Sequence, residues 1–190
     1  TAGENSVGLY TDSGKISLLA GSMNITGENG VGIYGTNGAE IENNLNMSLA
    51  DSGYGIISNS GTKILNNSGS AILGENSVFV YSDGGTEILN KASFDVLITG
   101  SNSLGIYAIN GVNVENHSNI TADTGKGNMG IFNKDGSIIN TGNIKTGDSI
   151  IIDEENTFLN TYSVGIYGEN TKDFKNTGNI DINAGNSSFG

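Results

Sequence analysis

Cysteine, proline, tryptophan, arginine and glutamine are all missing from the 190 residues. Without cysteine there is neither a disulfide framework nor a thiolate metal site. Without proline a collagen helix is excluded, although glycine numbers 30. Basic residues are scarce too: eight lysines stand against 20 acidic residues, a net charge of −12. The cationic surface that nucleic acid or an anionic membrane requires is therefore lacking, whereas cationic partners stay open. No apolar run approaches the roughly 18 residues of a membrane span, and the first residues lack the basic-then-apolar pattern of a signal peptide. What the chain does hold is glycine, 28 asparagines and a 35% apolar share rich in Ile, Leu and Val, too apolar for a disordered tract.

These residues recur in phase. A short motif appears as Val7-Gly8-Leu9-Tyr10, Val31-Gly32-Ile33-Tyr34, Tyr54-Gly55-Ile56-Ile57, Val78-Phe79-Val80-Tyr81, Leu104-Gly105-Ile106-Tyr107, Met129-Gly130-Ile131-Phe132 and Val164-Gly165-Ile166-Tyr167. Successive copies lie 24, 23, 24, 26, 25 and 35 residues apart. A second motif keeps the same phase and ends on Asn43, Asn66, Asn90, Asn116, Asn140 and Asn176, with Ile16-Ser17-Leu18 as a first copy lacking its Asn. A third apolar element follows, as in Asn119-Ile120, Asn143-Ile144 and Asn179-Ile180. Turn residues that tolerate positive φ punctuate the strands, for example Asn37-Gly38 and Asn110-Gly111.

Three short strands and three turns in about 24 residues predict one coil of an all-β, parallel β-helical solenoid. The six-residue rhythm of a left-handed hexapeptide helix is absent, so the expectation is a single-stranded right-handed β-helix of about seven coils. At ~4.8 Å per coil the rod is roughly 34 Å long. Residues 1–190 read as one uncapped excerpt, because Thr1–Gly8 and Asn183–Gly190 share a phase. Residues 147–163 read as an irregular insertion or degenerate coil, with Asp153, Glu154 and Glu155 at its tip, either a candidate ligand or partner contact or an ordinary solvated loop.

Strict alternation in the first motif predicts that positions one and three point inward. Tyr10, Tyr34, Tyr81, Tyr107, Phe132 and Tyr167 would then form an outer aromatic column beside a trough of glycines that includes Phe79. The column either covers backbone at the glycines, turns a corner into the core, or offers a platform for a sugar or a partner's side chains. The Asn file from Asn43 to Asn176 reads as structural, its amides bonding coil to coil. Lys15, Glu40, Lys63 and Glu87 alternate in sign in one column, whereas Glu4, Glu28, Asp51 and Glu75 form an all-acidic ridge. That ridge is either a solvated edge or a site for a cation or cationic ligand.

Catalysis finds little support in the residue types. A lyase of the pectate type needs a basic group, usually arginine, to abstract its proton, and there is no arginine. The acidic ridge meets the carboxylate spacing of a glycoside hydrolase, but so would any repeated acidic turn, and nothing differentiates an acid from a base along it. His117 is the only histidine, and no phosphate-loop, zinc or calcium-repeat pattern occurs. The chain is expected to be no enzyme and to need no cofactor or metal, with a polysaccharide-active β-helix as an alternative.

The segments GENSVGLY, GENGVGIY, SNSLGIY and SVGIYGEN, with the KNTGNI element at Lys175–Ile180, resemble the passenger repeats of the large fusobacterial autotransporter adhesins. The resemblance spans essentially the whole chain and lies in repeat texture. It implies a non-enzymatic adhesin segment on the outer surface of a Gram-negative bacterium, held to the membrane only through a C-terminal barrel outside these residues. It also implies attachment to receptors on other bacteria or host cells, protein or glycan, with coaggregation and virulence as the setting. A purely structural stalk spacer is the alternative, and no ligand residue of the family maps onto this chain.

Overall fold

The structure, a computed structural model, describes residues 1–122, 124–149 and 162–182. Three seven-stranded parallel sheets make up these residues. The first sheet holds Val7–Asp12, Val31–Thr36, Tyr54–Asn59, Val78–Asp83, Leu104–Ile109, Met129–Lys134 and Val164–Glu169. The second holds Lys15–Leu18, Glu40–Asn43, Lys63–Asn66, Glu87–Asn90, Asn113–Asn116, Ser137–Asn140 and Asp173–Asn176. The third holds Ser22–Ile25, Asn46–Leu49, Gly69–Leu73, Phe94–Ile98, Ile120–Thr121, Ile144–Thr146 and Ile180–Ile182. Every strand pairs with its counterpart one coil away, so the chain is a parallel β-solenoid, and the seven stacked strand triplets make between six and seven turns.

Register follows from the apolar stacks. Ile33, Ile56, Ile106 and Ile131 are fully buried in the first sheet, as are Ile41, Ile64, Ile88 and Ile138 in the second. Each buried Ile contributes about 1.5–3 kcal/mol relative to exposure. A one-residue slip would turn a whole stack into solvent.

The turns match the sequence reading. Ser13, Asn37, Ser60, Gly84, Asn110 and Asp135 have positive φ between the first and second sheets. Asn5, Asn29, Ser52, Asn76, Asn102 and Gly127 do the same just before the first sheet. The left-handed region costs most L-residues about 1–2 kcal/mol, and Asn, Asp and Gly are the types that visit it routinely. Much of the Asn and Gly content is thereby placed.

The expected alternation in the first motif does not hold. Position two is buried in six of the seven coils, five times as a glycine and once as Phe79, beside the buried third position, while position one is half-buried at Val31, Tyr54, Val78, Leu104 and Met129, exposed at Val7 and buried only at Val164. The strand therefore kinks between positions two and three, and the pairing register steps over position two. A Cβ on Gly32 would meet the Gly55 carbonyl oxygen at 2.6 Å and Met47 Cε at 2.9 Å, so the glycines face the core. The outer glycine trough is thus overturned. Phe79, expected outside with the glycines, is fully buried and stacks on Phe94 with ring centroids 5.1 Å apart.

Candidate functional site

The aromatic column is present on the outer face of the first sheet, made of the fourth position of each motif. Tyr10 stacks on Tyr34 at 5.5 Å between ring centroids. After an interruption at Ile57, Tyr81 stacks on Tyr107 at 5.4 Å, Tyr107 on Phe132 at 4.7 Å and Phe132 on Tyr167 at 5.4 Å. Parallel in-register pairing fixes these distances, since Tyr10 lies opposite Tyr34 and Tyr81 opposite Tyr107. Tyr10 and Tyr167 remain 59% and 45% exposed, and the rings between them are half-buried. The Tyr34 hydroxyl accepts a hydrogen bond from Asn59 Nδ2 at 2.8 Å. Burial, then the nearby Asp83 carboxylate and the Tyr107 and Tyr54 phenols, hold the Tyr81 phenol above its ordinary pKa.

The acidic ridge lies on the turn before the first sheet, with Glu4, Glu28, Asp51 and Glu75 all exposed. Backbone bonds continue the stack through Ser101 and Lys126, which end its uniform acidic sign, to Asp148. Asp51 accepts the Glu75 backbone N–H at 2.8 Å and so caps the turn. Among the described residues no three His, Cys, Asp or Glu side chains converge closely enough to hold a metal ion.

The insertion opens from this same turn stack, between Ile144–Thr146 and Val164–Glu169. Its described ends meet: Ser163 donates from its backbone N–H to Ser149 Oγ at 3.0 Å and from Oγ to the Asp148 carbonyl at 2.6 Å. Asp153, Glu154 and Glu155 lie outside the described residues, as do residues 183–190, where another coil was expected to begin.

The Asn file is a continuous buried ladder. Asn43 donates to Asn66 at 3.0 Å, Asn66 to Asn90 at 2.7 Å, Asn90 to Asn116 at 3.4 Å, Asn116 to Asn140 at 2.7 Å and Asn140 to Asn176 at 2.7 Å. The amides also close their own turns, since Asn43 Oδ1 accepts the Leu45 N–H and Asn140 Nδ2 reaches the Gly142 carbonyl. Every member except the terminal Asn176 is fully buried. The file holds coils together and presents nothing to a ligand.

A second polar ladder was not foreseen. Gly53 N–H donates to Ser77 Oγ, Ser77 N–H to Ser103 Oγ, Ser103 N–H to Asn128 Oδ1 and Asn128 N–H to Ser163 Oγ. Each acceptor sits just before a first-sheet strand and is fully buried. The recurrence of a small or polar residue at that phase (Ser6, Gly30, Gly53, Ser77, Ser103, Asn128, Ser163) was the signal that could have found it.

Charges on the second sheet pair partly as expected. Lys15 bonds Glu40 at 2.8 Å, and Lys63 bonds Glu87 at 2.7 Å. Lys15 also reaches across to Glu42 at 2.7 Å, and this hydrogen bond, with one from Ser17, holds the Glu42 carboxyl below its ordinary pKa. His117 sits between Glu115 Oε1 at 2.7 Å and Thr141 Oγ1 at 2.5 Å, tied into the turn surface. Compared with protein-family models, curated proteins and solved structures, the chain matches none of them.

Proposed function

We propose that the chain is a non-enzymatic adhesin segment, displayed at a bacterial surface, that attaches to other bacteria or host cells through the outer face of its first sheet. The observation that carries this reading is the in-register aromatic column, with four rings from Tyr81 to Tyr167 stacked at 4.7–5.4 Å on a scaffold bonded coil to coil. Aromatic rings supply large contact area at little conformational cost, and here the stack and the ladders beneath hold them in place. The half-buried column from Val31 to Met129 runs along the same sheet and widens the apolar surface. The repeat texture supports the surface setting and the export route through a C-terminal barrel.

The test is adhesion of the purified chain to partner bacteria and host cells. The triple change Tyr34→Ser, Tyr81→Ser and Tyr107→Ser is expected to abolish binding. Binding that survives both this change and replacement of residues 150–161 by a short glycine linker overturns the proposal. A stalk spacer is the second reading, favoured by the two internal ladders, which serve rigidity alone. It predicts that the wild-type chain binds no cells.

A further inference from the structure

The third sheet carries a groove on its outer face, away from the aromatic column, across the last four coils. It has a volume of about 510 Å³. One wall is a ladder of exposed side chains: Asn179 Nδ2 donates to Asn143 Oδ1 at 3.1 Å, Asn143 to Asn119 at 3.1 Å and Asn119 to Asp95 Oδ1 at 3.0 Å. The facing wall is the next outward column, Leu97, Thr121, Lys145 and Asp181, which strand pairing keeps in register.

We propose that this groove binds an extended, uncharged β-linked oligosaccharide lying along the rod axis. Asn119 and Asn143 each spend one N–H and one carbonyl lone pair on their neighbours, and Asn179 spends one N–H. Each amide keeps a second N–H and a lone pair available to hydroxyls, so the wall offers a donor and an acceptor in the three Asn coils and acceptors alone at Asp95. The interval between coils is ~4.8 Å, close to the advance of one pyranose ring in an extended β-linked chain, whose rings present the same edge to the wall at every second coil. Leu97 and the Thr121 methyl supply apolar surface for a ring's C–H face.

Other polymers fit less well. An extended peptide along the axis advances only about 3.3 Å per residue and falls out of step with the coils within two residues. It also could not pair with the sheet, because the backbone groups of these strands are already bonded to neighbouring coils. Nucleic acid is excluded by the net charge of −12. The groove and the aromatic column lie on different sheets, so this proposal and the adhesin reading fail separately.

The probes are cello- and chito-oligosaccharides of two to six residues, titrated calorimetrically into the full chain. Affinity is expected to rise with length up to about four residues, one per coil, and then level off. Asn119→Ala with Asn143→Ala, both exposed positions, should weaken binding at least tenfold while leaving the far-ultraviolet circular dichroism unchanged. Thr121→Trp, which puts a bulky ring between the two columns, should weaken it as much. Tyr107→Ser on the other sheet should leave it unchanged. Absence of binding at millimolar probe, affinity independent of length, or binding undiminished in both groove variants would each overturn the proposal.

Discussion

The side-chain amide of Asn66 donates to the side-chain carbonyl of Asn90 one coil away at 2.7 Å, and both residues are fully buried. A buried amide has no water to fall back on, so each link in this file depends on the next coil being in register. The file acts as a register gauge through the second sheet.

Asn90→Ala should therefore be costly, because it orphans the buried Asn66 donor. The expected loss is about 2–3 kcal/mol, read as a lower urea midpoint with the slope unchanged. Asn176→Ala removes the exposed last member of the same file, and its expected cost is under about 1 kcal/mol. Equal losses at the two sites would contradict a burial-dependent ladder.

The kinked first motif predicts an asymmetry between coils. At Gly105 an added Cβ would lie 2.6 Å from the Gly130 carbonyl oxygen, and at Gly55 it would lie 2.6 Å from that of Phe79. Gly105→Ala and Gly55→Ala are expected to destabilise by about 1–3 kcal/mol through overpacking against backbone. Phe79→Ala should cost about 3–5 kcal/mol by opening a cavity beside Phe94. Were the glycines on the outer face, both alanine variants would be near neutral in thermal unfolding.

Surface ion pairs give a pH signature. Glu42 is held below its ordinary pKa by Lys15, so its contribution is complete above the unfolded carboxylate pKa and is lost as pH falls through the lower folded value. Lys15, Lys63 and Lys134 are raised by hydrogen bonds to Glu40, Glu87 and Glu169 respectively. Their contributions are complete below the unfolded lysine pKa and lost as pH rises through the folded one. Glu42→Gln should lower the melting temperature at about pH 7 in low salt, with the difference shrinking below about pH 4 and in about 1 M salt. A difference that persists at acid pH would assign the effect to packing instead.

Tyr81 offers a spectroscopic check on the aromatic column. Its phenol is raised first by burial and then by Asp83, Tyr107 and Tyr54, so Tyr81→Phe should remove a portion of the tyrosinate absorbance titration that lies above the ordinary tyrosine range. Loss of an early-titrating tyrosine instead would place Tyr81 outside the stack.

Much of the candidate surface was legible from residues such as Tyr81 and Tyr107, because a parallel solenoid stacks equivalent positions and period becomes proximity. The same logic placed Asn43 through Asn176 in one file. It failed at Gly32 and Phe79, where a strict two-residue alternation was assumed and a kink turns two consecutive positions inward. It also passed over Ser77, Ser103, Asn128 and Ser163, whose shared role is to accept a backbone N–H from the preceding coil. The groove beside Asn119 and Asn143 was missed for a related reason. Sequence marks which residues recur, but whether a sheet face is flat or hollow depends on how the chain bends between strands.

By itself the sequence determined the period, the three strands per coil, the left-handed turn positions and which columns run through the structure, since each follows from local stereochemistry repeated in register. The tertiary structure decided which way the first motif faces, that Lys15 pairs with Glu42 as well as Glu40, and where a hollow opens. Those outcomes turn on contacts between coils and on strand kinks, where close backbone approach outweighs the local preference for alternation.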